Sequence, residues 1–457
     1  MVFPALRQRL VRHFPPGTLR ARVASGAVWV LFGMAASQVV AALSSIVIAR
    51  VLGKETFGEF GMVRNTIMML GVLAGLGLGL TTNKFVAEFR DSDPPRASRV
   101  LGLTLTLGLI SGTLVSAWVA FAANYLALRT LNAAHLAPYI RICAPLLLMS
   151  VINGVQLAAI SGLEQFRVLA SLTAVTVLTV AVASAVGAAG WGIQGALLGT
   201  VLGAFVNVLV LEAVGAPLRR KRNVPVAFRG IWQERGIIFS FAVPSLFSGL
   251  MVGPITWAAL RLLFIRPDGP GQTALFNAAN QIRTLALFVP GAIAQVVMPM
   301  FSNLQAGVDA GRYQRAVRLS SLACLAAGLA VALPLIVASR PIMGLFGPGF
   351  SSGWAVLCLL CLAAVLQATN TVIGEALAAL NKMWWGFLLN CIWAAEFLAA
   401  SWFLVRLGAT GLGWAYLISY VLHTLQVWAF VLFAIRRHPE WRVAPVRVPV
   451  TSGEWVA

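Results

Sequence analysis

Charge is what this chain has least of. Only 11% of its 457 residues are Asp, Glu, Lys or Arg, where a soluble domain keeps roughly 25%. With 59% hydrophobic residues, a chain of this length cannot cover itself with polar surface, and lipid is the solvent that fits. Acidic residues are scarcer still: 14 Asp and Glu stand against 34 Lys and Arg, a net charge of +20. In a membrane protein that excess belongs to cytoplasmic loops and to sites for anionic groups, so no nucleic-acid partner is expected. Cysteine is sparse, and all five (Cys143, Cys324, Cys358, Cys361, Cys391) lie in apolar runs. Cys358 and Cys361 form a CxxC without a second pair or a histidine cluster, so packing is the expected role and no metal site is predicted. No P-loop, HExxH or nucleophile motif stands out, and no loop is long enough for a catalytic domain. Neither enzymatic activity nor a cofactor is expected.

Long apolar runs are what the chain has in abundance. A membrane span needs roughly 20 apolar residues. Twelve segments qualify: 26–49, 58–80, 99–123, 138–162, 166–188, 191–213, 237–263, 274–298, 316–338, 352–380, 384–405 and 410–434. Residues 26–49 exceed the roughly 7–15 residues of a cleaved signal's apolar region, so they read as a retained first span. Before them, Phe3–Phe14 interleaves arginines with Leu6, Leu10 and Val11. That pattern suits either a short interfacial helix or a disordered basic tail.

Lys and Arg set the orientation. With the N-terminus inside, 24 of the 34 fall on cytoplasmic segments and 8 on outer ends, leaving Arg64 and Arg283 within spans. Both termini are therefore expected in the cytoplasm. Arg219–Arg235 forms the longest inner loop, read as a link between halves.

The halves repeat. Ile48-Ala49-Arg50 ends span 1 and Phe264-Ile265-Arg266 ends span 7, 216 residues later. Phe60 and Phe276 keep that offset, as do Gly192-Ile193-Gln194-Gly195 and Gly408-Ala409-Thr410-Gly411; Asn153 and Asn370 differ by 217. An even number of spans per repeat gives both halves one orientation, as in parallel-repeat transporters, with the substrate site between them and rocking as the route to alternating access. The expected fold is an all-α polytopic membrane protein, about twelve transmembrane helices in two parallel six-helix bundles. The expected domains are a basic segment 1–24, bundles 25–216 and 237–435, a linker 217–236 and a tail 436–457. Glycines at intervals of four (Gly71, Gly75, Gly79; Gly195, Gly199, Gly203) mark close helix contacts.

Residues 48–89, IARVLGKETFGEFGMVRNTIMMLGVLAGLGLGLTTNKFVAEF, resemble the first helical hairpin of Wzx-type polysaccharide flippases. These belong to the multidrug/oligosaccharidyl-lipid/polysaccharide exporter superfamily, which is MATE-like in fold. The likeness lies in the ARxLG exit from span 1, the acidic-aromatic-Gly turn, GLGLG late in span 2 and the KFVAE-like exit. Gly162-Leu163-Glu164-Gln165-Phe166 and the Gly-rich entry to span 6 also resemble the family. The resemblance implies a lipid-linked oligosaccharide substrate, usually on undecaprenyl pyrophosphate, moved across the bacterial inner membrane. It implies membrane lipids, a polysaccharide polymerase and glycosyltransferases as partners, and no cofactor.

A diphosphate crossing hydrocarbon needs fixed positive charge, and arginine's planar donors suit phosphate oxygens. Arg64 in span 2 and Arg283 in span 8 each sit about 10 Å inside the outer end, and line a cavity unless they pair structurally or snorkel. Arg50 and Arg266 either join that site or anchor helix ends. Asn280, Asn153 and Asn370, with Asn65, Asn277, Gln281, Gln156 and Gln367, are placed either on sugar hydroxyls or in interhelical bonds. Glu375, Glu396 and His423 are the candidates for proton coupling, with a buried Glu396–His423 pair as the structural alternative. Two other readings remain at this point. A cation-coupled drug exporter would need core carboxylates, and span 1 has none. A glycan polymerase would need acidic residues in an outer loop, and the longest, 124–137, has none.

Overall fold

In hydrocarbon every backbone N–H and C=O must bond internally, and this chain meets that condition with helices. The computed structural model describes residues 19–242, 251–305, 310–379 and 383–437. The N-terminal segment Phe3–Phe14 and the tail beyond Arg437 fall outside the described residues. Among the described residues there is no strand. In chain order the helices are α1 (Leu19–Leu52), α2 (Lys54–Gly75), α3 (Leu78–Phe89), α4 (Pro94–Tyr125), α5 (Ala137–Cys143), α6 (Pro145–Gly162), α7 (Phe166–Lys221), α8 (Val252–Phe264), α9 (Gly269–Gln305), α10 (Ala310–Val337), α11 (Ser339–Gly344), α12 (Trp354–Ala379), α13 (Met383–Leu404) and α14 (Gly408–Arg437). Helix occupies the described part of each of the twelve expected segments; residues 243–250 of 237–263 and residue 380 of 352–380 lie outside the described residues. Among the described residues, seven runs are long and apolar enough to cross a membrane, eight if one bent pair counts as a span. The protein is an all-α polytopic membrane protein.

Two of those runs are 56 and 48 residues long, more than twice what a bilayer needs. Each folds back on itself at a glycine. In α7, Gly192 takes φ 58° and ψ −142°; at the start of α14, Gly408 takes φ 66° and ψ −146°. Only glycine adopts this backbone without strain, and the two positions are 216 apart. Beyond Gly192 the arms pack without side chains between them. A Cβ added at Gly195 would lie 2.0 Å from the Gly187 carbonyl oxygen, one at Gly199 2.1 Å from that of Ala183, and one at Gly203 2.8 Å from Val180 Cα. One series ascends as the other descends, so the arms are antiparallel. In the second half, Trp393 faces Tyr420 and Phe397 faces Tyr416, with ring centroids 5.5 and 5.0 Å apart. They join α13 to α14 by large rings where α7 uses glycines.

The other glycine series behaves differently. Span 2 is not one helix over 58–80. It stops at Gly75, passes through two left-handed residues, Leu76 (φ 47°) and Gly77 (φ 68°), and resumes as α3 at an angle of 45°. Two such residues in succession interrupt the i→i−4 ladder, and Gly75 has no atom within 4 Å of an added Cβ.

The halves meet where α2 crosses α9, and they meet through equivalent positions. A Cβ on Gly271 would touch Glu55 Oε1 at 2.8 Å, and one on Gly61 would touch Asn277 Nδ2 at 2.2 Å. Both pairs are separated by 216 residues. A residue contacts its own counterpart only on a two-fold axis, and the shared order along the two helices makes them parallel.

At the far end lies a basic cluster. Arg90 holds Glu164 at 2.7 Å and the Gly162 carbonyl at 2.8 Å. Helix α7 continues to Lys221, inside the segment expected as linker. The chain then lies along α4: Ala227 N donates to the Ser98 carbonyl at 3.2 Å. Glu234, only 5% exposed, accepts from Arg96 at 3.0 Å and from Arg99 at 3.1 Å. Glu234→Gln leaves two arginines without a countercharge. It is expected to cost roughly 1–3 kcal/mol, seen as a lowered unfolding temperature of the detergent-solubilised protein.

Candidate functional site

A charge within a bilayer is expensive unless it is paired or faces water. Arg64 and Arg283 differ in how they meet that requirement. Arg283, on α9, is buried at 8% exposure. Its Nε donates to Asn280 Oδ1 at 2.9 Å, one turn earlier, and its terminal nitrogen donates to Gln367 Oε1 on α12 at 2.7 Å. The guanidinium carbon stands 4.9 Å from the Tyr416 ring centroid, on α14. Every partner is neutral. The sequence brings Asn280 and Gln367 forward as polar residues in spans; Tyr416, an aromatic in an apolar run, carries no such signal.

Arg64, on α2, is exposed. Its neighbours on α2 fasten the crossing. Asn65 Nδ2 donates to Asn277 Oδ1 at 3.1 Å, and Thr66 Oγ1 accepts from Trp257 Nε1 of α8 at 2.9 Å. Thr284 Oγ1 reaches Gln38 of α1 at 3.4 Å. Among the described residues neither Arg64 nor Arg283 has a carboxylate within ion-pair distance.

The exactly repeated arginines have unlike surroundings, both at the end away from the basic cluster. Arg50 donates Nε to the Leu345 carbonyl at 2.6 Å, tying α1 to the turn after α11. Arg266 is exposed in the turn before α9. The remaining polar candidates serve contacts within each half. Asn153 donates to the Ala204 carbonyl at 3.5 Å and Asn370 to Thr424 Oγ1 at 3.0 Å, so each joins the fourth span of its half to the sixth. The oxygen of each amide is buried, with no partner among the described residues. Glu396 accepts from Gln426 rather than from His423, whose Nδ1 is buried and has no partner among the described residues. Glu375 is half-buried on α12. Glu212 is a carboxylate the sequence reading passes over. It accepts from Gln156 at 3.1 Å and pairs with buried Arg219.

A family model described as polysaccharide biosynthesis protein matches residues 23–305, more than half of the 457. The chain belongs to that family. The chain is 25% identical over 426 residues to the EPS I polysaccharide export inner membrane protein EpsE of Ralstonia solanacearum, covering 89% of this chain and 93% of that protein. In fold it is similar to an inward-facing multidrug resistance MATE family transporter of the MOP superfamily, with TM-score 0.74, 18% identity and coverage of 88% and 96%. It is also similar to the lipid II flippase MurJ in an inward closed conformation, with TM-score 0.71, 13% identity and coverage of 89% and 87%. As a member of this family and fold, the chain is a multi-pass membrane protein.

Proposed function

We propose that the chain translocates a lipid-linked oligosaccharide, its glycan carried on undecaprenyl pyrophosphate, across the bacterial inner membrane for surface polysaccharide assembly. The observation that carries this reading is the pair of intramembrane arginines without a carboxylate. Two fixed positive charges inside a bilayer call for an anion, and a diphosphate supplies one. A cationic drug would meet the same charges as repulsion. Membership of the family and similarity to an exopolysaccharide exporter support a glycan as the rest of the cargo. Glycosyltransferases acting before this step and a polymerase after it are the partners such a cargo requires.

The bundles 25–216 and 237–435 rock about the α2–α9 crossing, and the basic end faces the cytoplasm with both termini. The bonds Arg50–Leu345, Asn65–Asn277 and Trp257–Thr66 then hold the outer end closed, so this state loads from inside. Arg64→Ala and Arg283→Ala are each expected to lower surface polysaccharide roughly tenfold or more, the scale of a lost charge-assisted contact, at unchanged amounts of membrane-inserted protein. Normal export by the double variant refutes the cavity role.

A further inference from the structure

A second anion-compatible site lies at the end opposite the basic cluster, outside the α2–α9 crossing. It is a pocket of about 490 Å³ between the two halves, lined by Arg129, Thr130, Trp257, Arg261, Leu398 and Trp402 among others, with no acidic residue in its lining. Arg129 belongs to the end of the α4 run, in the first half. Arg261 lies one turn from the end of α8, and Trp402 close to the end of α13, in the second. All three elements end here, which is headgroup depth for helices that span a bilayer, the level where Trp and Arg are at home.

The two arginines are differently held. Arg261 is half-buried and uses Nε on the Thr130 carbonyl across the junction, so its orientation is fixed while its terminal nitrogens stay available. Arg129 is exposed, and its guanidinium has no protein partner among the described residues. Trp257, one turn before Arg261 on α8, and Leu398, one turn before Trp402 on α13, are half-buried, and Trp402 is 65% exposed. A cationic rim over an apolar, tryptophan-lined floor fits a molecule with an anionic head and hydrocarbon chains. A free phosphate would leave the floor unused, and a neutral lipid the rim.

We infer that this pocket binds the headgroup and upper chains of an anionic phospholipid, bridging Arg129 of the first half and Arg261 of the second. The site is separate from the arginines assigned to the cargo. Trp257, part of its floor, also donates to Thr66 two residues beyond Arg64. A lipid bridging the rim therefore holds together the same junction that the α2–α9 crossing closes, and must let go when the halves part.

The test is native mass spectrometry of the full chain in mild detergent, titrated with dioleoylphosphatidylglycerol, dioleoylphosphatidylcholine or inorganic phosphate. The native protein is expected to retain phosphatidylglycerol over phosphatidylcholine, and millimolar phosphate is expected not to displace it. Arg129→Gln, which removes no protein contact, is expected to lower phosphatidylglycerol retention by about tenfold and leave phosphatidylcholine unchanged. Trp402→Ala is expected to weaken the same lipid by loss of the floor. Arg229→Gln, at the exposed basic end, is the control for charge alone and should change nothing. The assignment is overturned by equal retention in Arg129→Gln and native protein, by an equal loss in Arg229→Gln, or by displacement with phosphate. Lipid retention is independent of polysaccharide export, so failure here leaves the transport reading untouched.

Discussion

Gly58→Leu is expected to abolish polysaccharide export while the protein still folds and inserts. Gly58 lies on α2 where it crosses the start of α9. A Cβ there would stand 1.8 Å from the Pro270 carbonyl oxygen and 2.6 Å from its carbonyl carbon. Backbone atoms are the obstacle, so no rotamer change relieves the overlap and the helices must separate. The contact lies between halves and not within either, so each half keeps its own packing. The halves cannot close at this end, and a cycle that needs closure stops. The readout is cross-linking of an Asn65→Cys/Asn277→Cys pair with a short bifunctional thiol reagent, in a background without the native cysteines. Those side chains are hydrogen-bonded at 3.1 Å, and Gly58→Leu is expected to reduce their cross-linking about tenfold, a shift of about 1.4 kcal/mol. Native cross-linking together with native export would show that this approach has no part in transport.

Gly195→Leu is expected to have the larger effect on folding. Its Cβ would fall 2.0 Å from the Gly187 carbonyl oxygen and 2.9 Å from Trp191 Cβ, within the hairpin of α7. Here the obstruction is inside one half, between antiparallel arms that approach backbone to backbone over three successive contacts. Losing that packing places the change among the rare substitutions that cost more than about 4 kcal/mol. Little folded protein should appear in size-exclusion profiles of detergent extracts. Gly190→Leu is the control: five residues away, with no atom within 4 Å of an added Cβ, it should behave as the native chain.

Both predictions start from features the sequence displays, to different depths. The glycine series at 195, 199 and 203 is visible as spacing, and its use follows, because small residues at intervals of four share one helix face. The offset of 216 is visible too, and the structure turns it into matching turns at Gly192 and Gly408. The series at 71, 75 and 79 has the same spacing and a different fate. Spacing does not encode the left-handed pair Leu76–Gly77, which ends the helix in the middle of the series. Pattern likewise fixes how deep Arg64 and Arg283 lie, but not what they face. Arg50 and Arg266 hold equivalent places in the repeat, yet Arg50 meets the carbonyl of Leu345, and a backbone acceptor has no residue type to give it away. Glu396 had two donors within reach on α14, His423 and Gln426, three residues apart on one face, and only packing chooses between them. Glu212 was legible as a carboxylate in a span and acquires its meaning from Arg219, which lies beyond the expected end of its helix.

The contacts at 55/271 and 61/277 bear on how such a chain can evolve. At each, one partner is glycine and the other a long polar side chain, although the positions are copies of one another. Two identical halves would place glycine against glycine and leave a void, or side chain against side chain and collide. Gene duplication alone would therefore give a poor seam. Divergence at Glu55, Gly61, Gly271 and Asn277 made the halves complementary, and it also made them non-interchangeable. Recombination that overwrote one half's crossing helix with the other's would restore the symmetry of the ancestor and lose the joint.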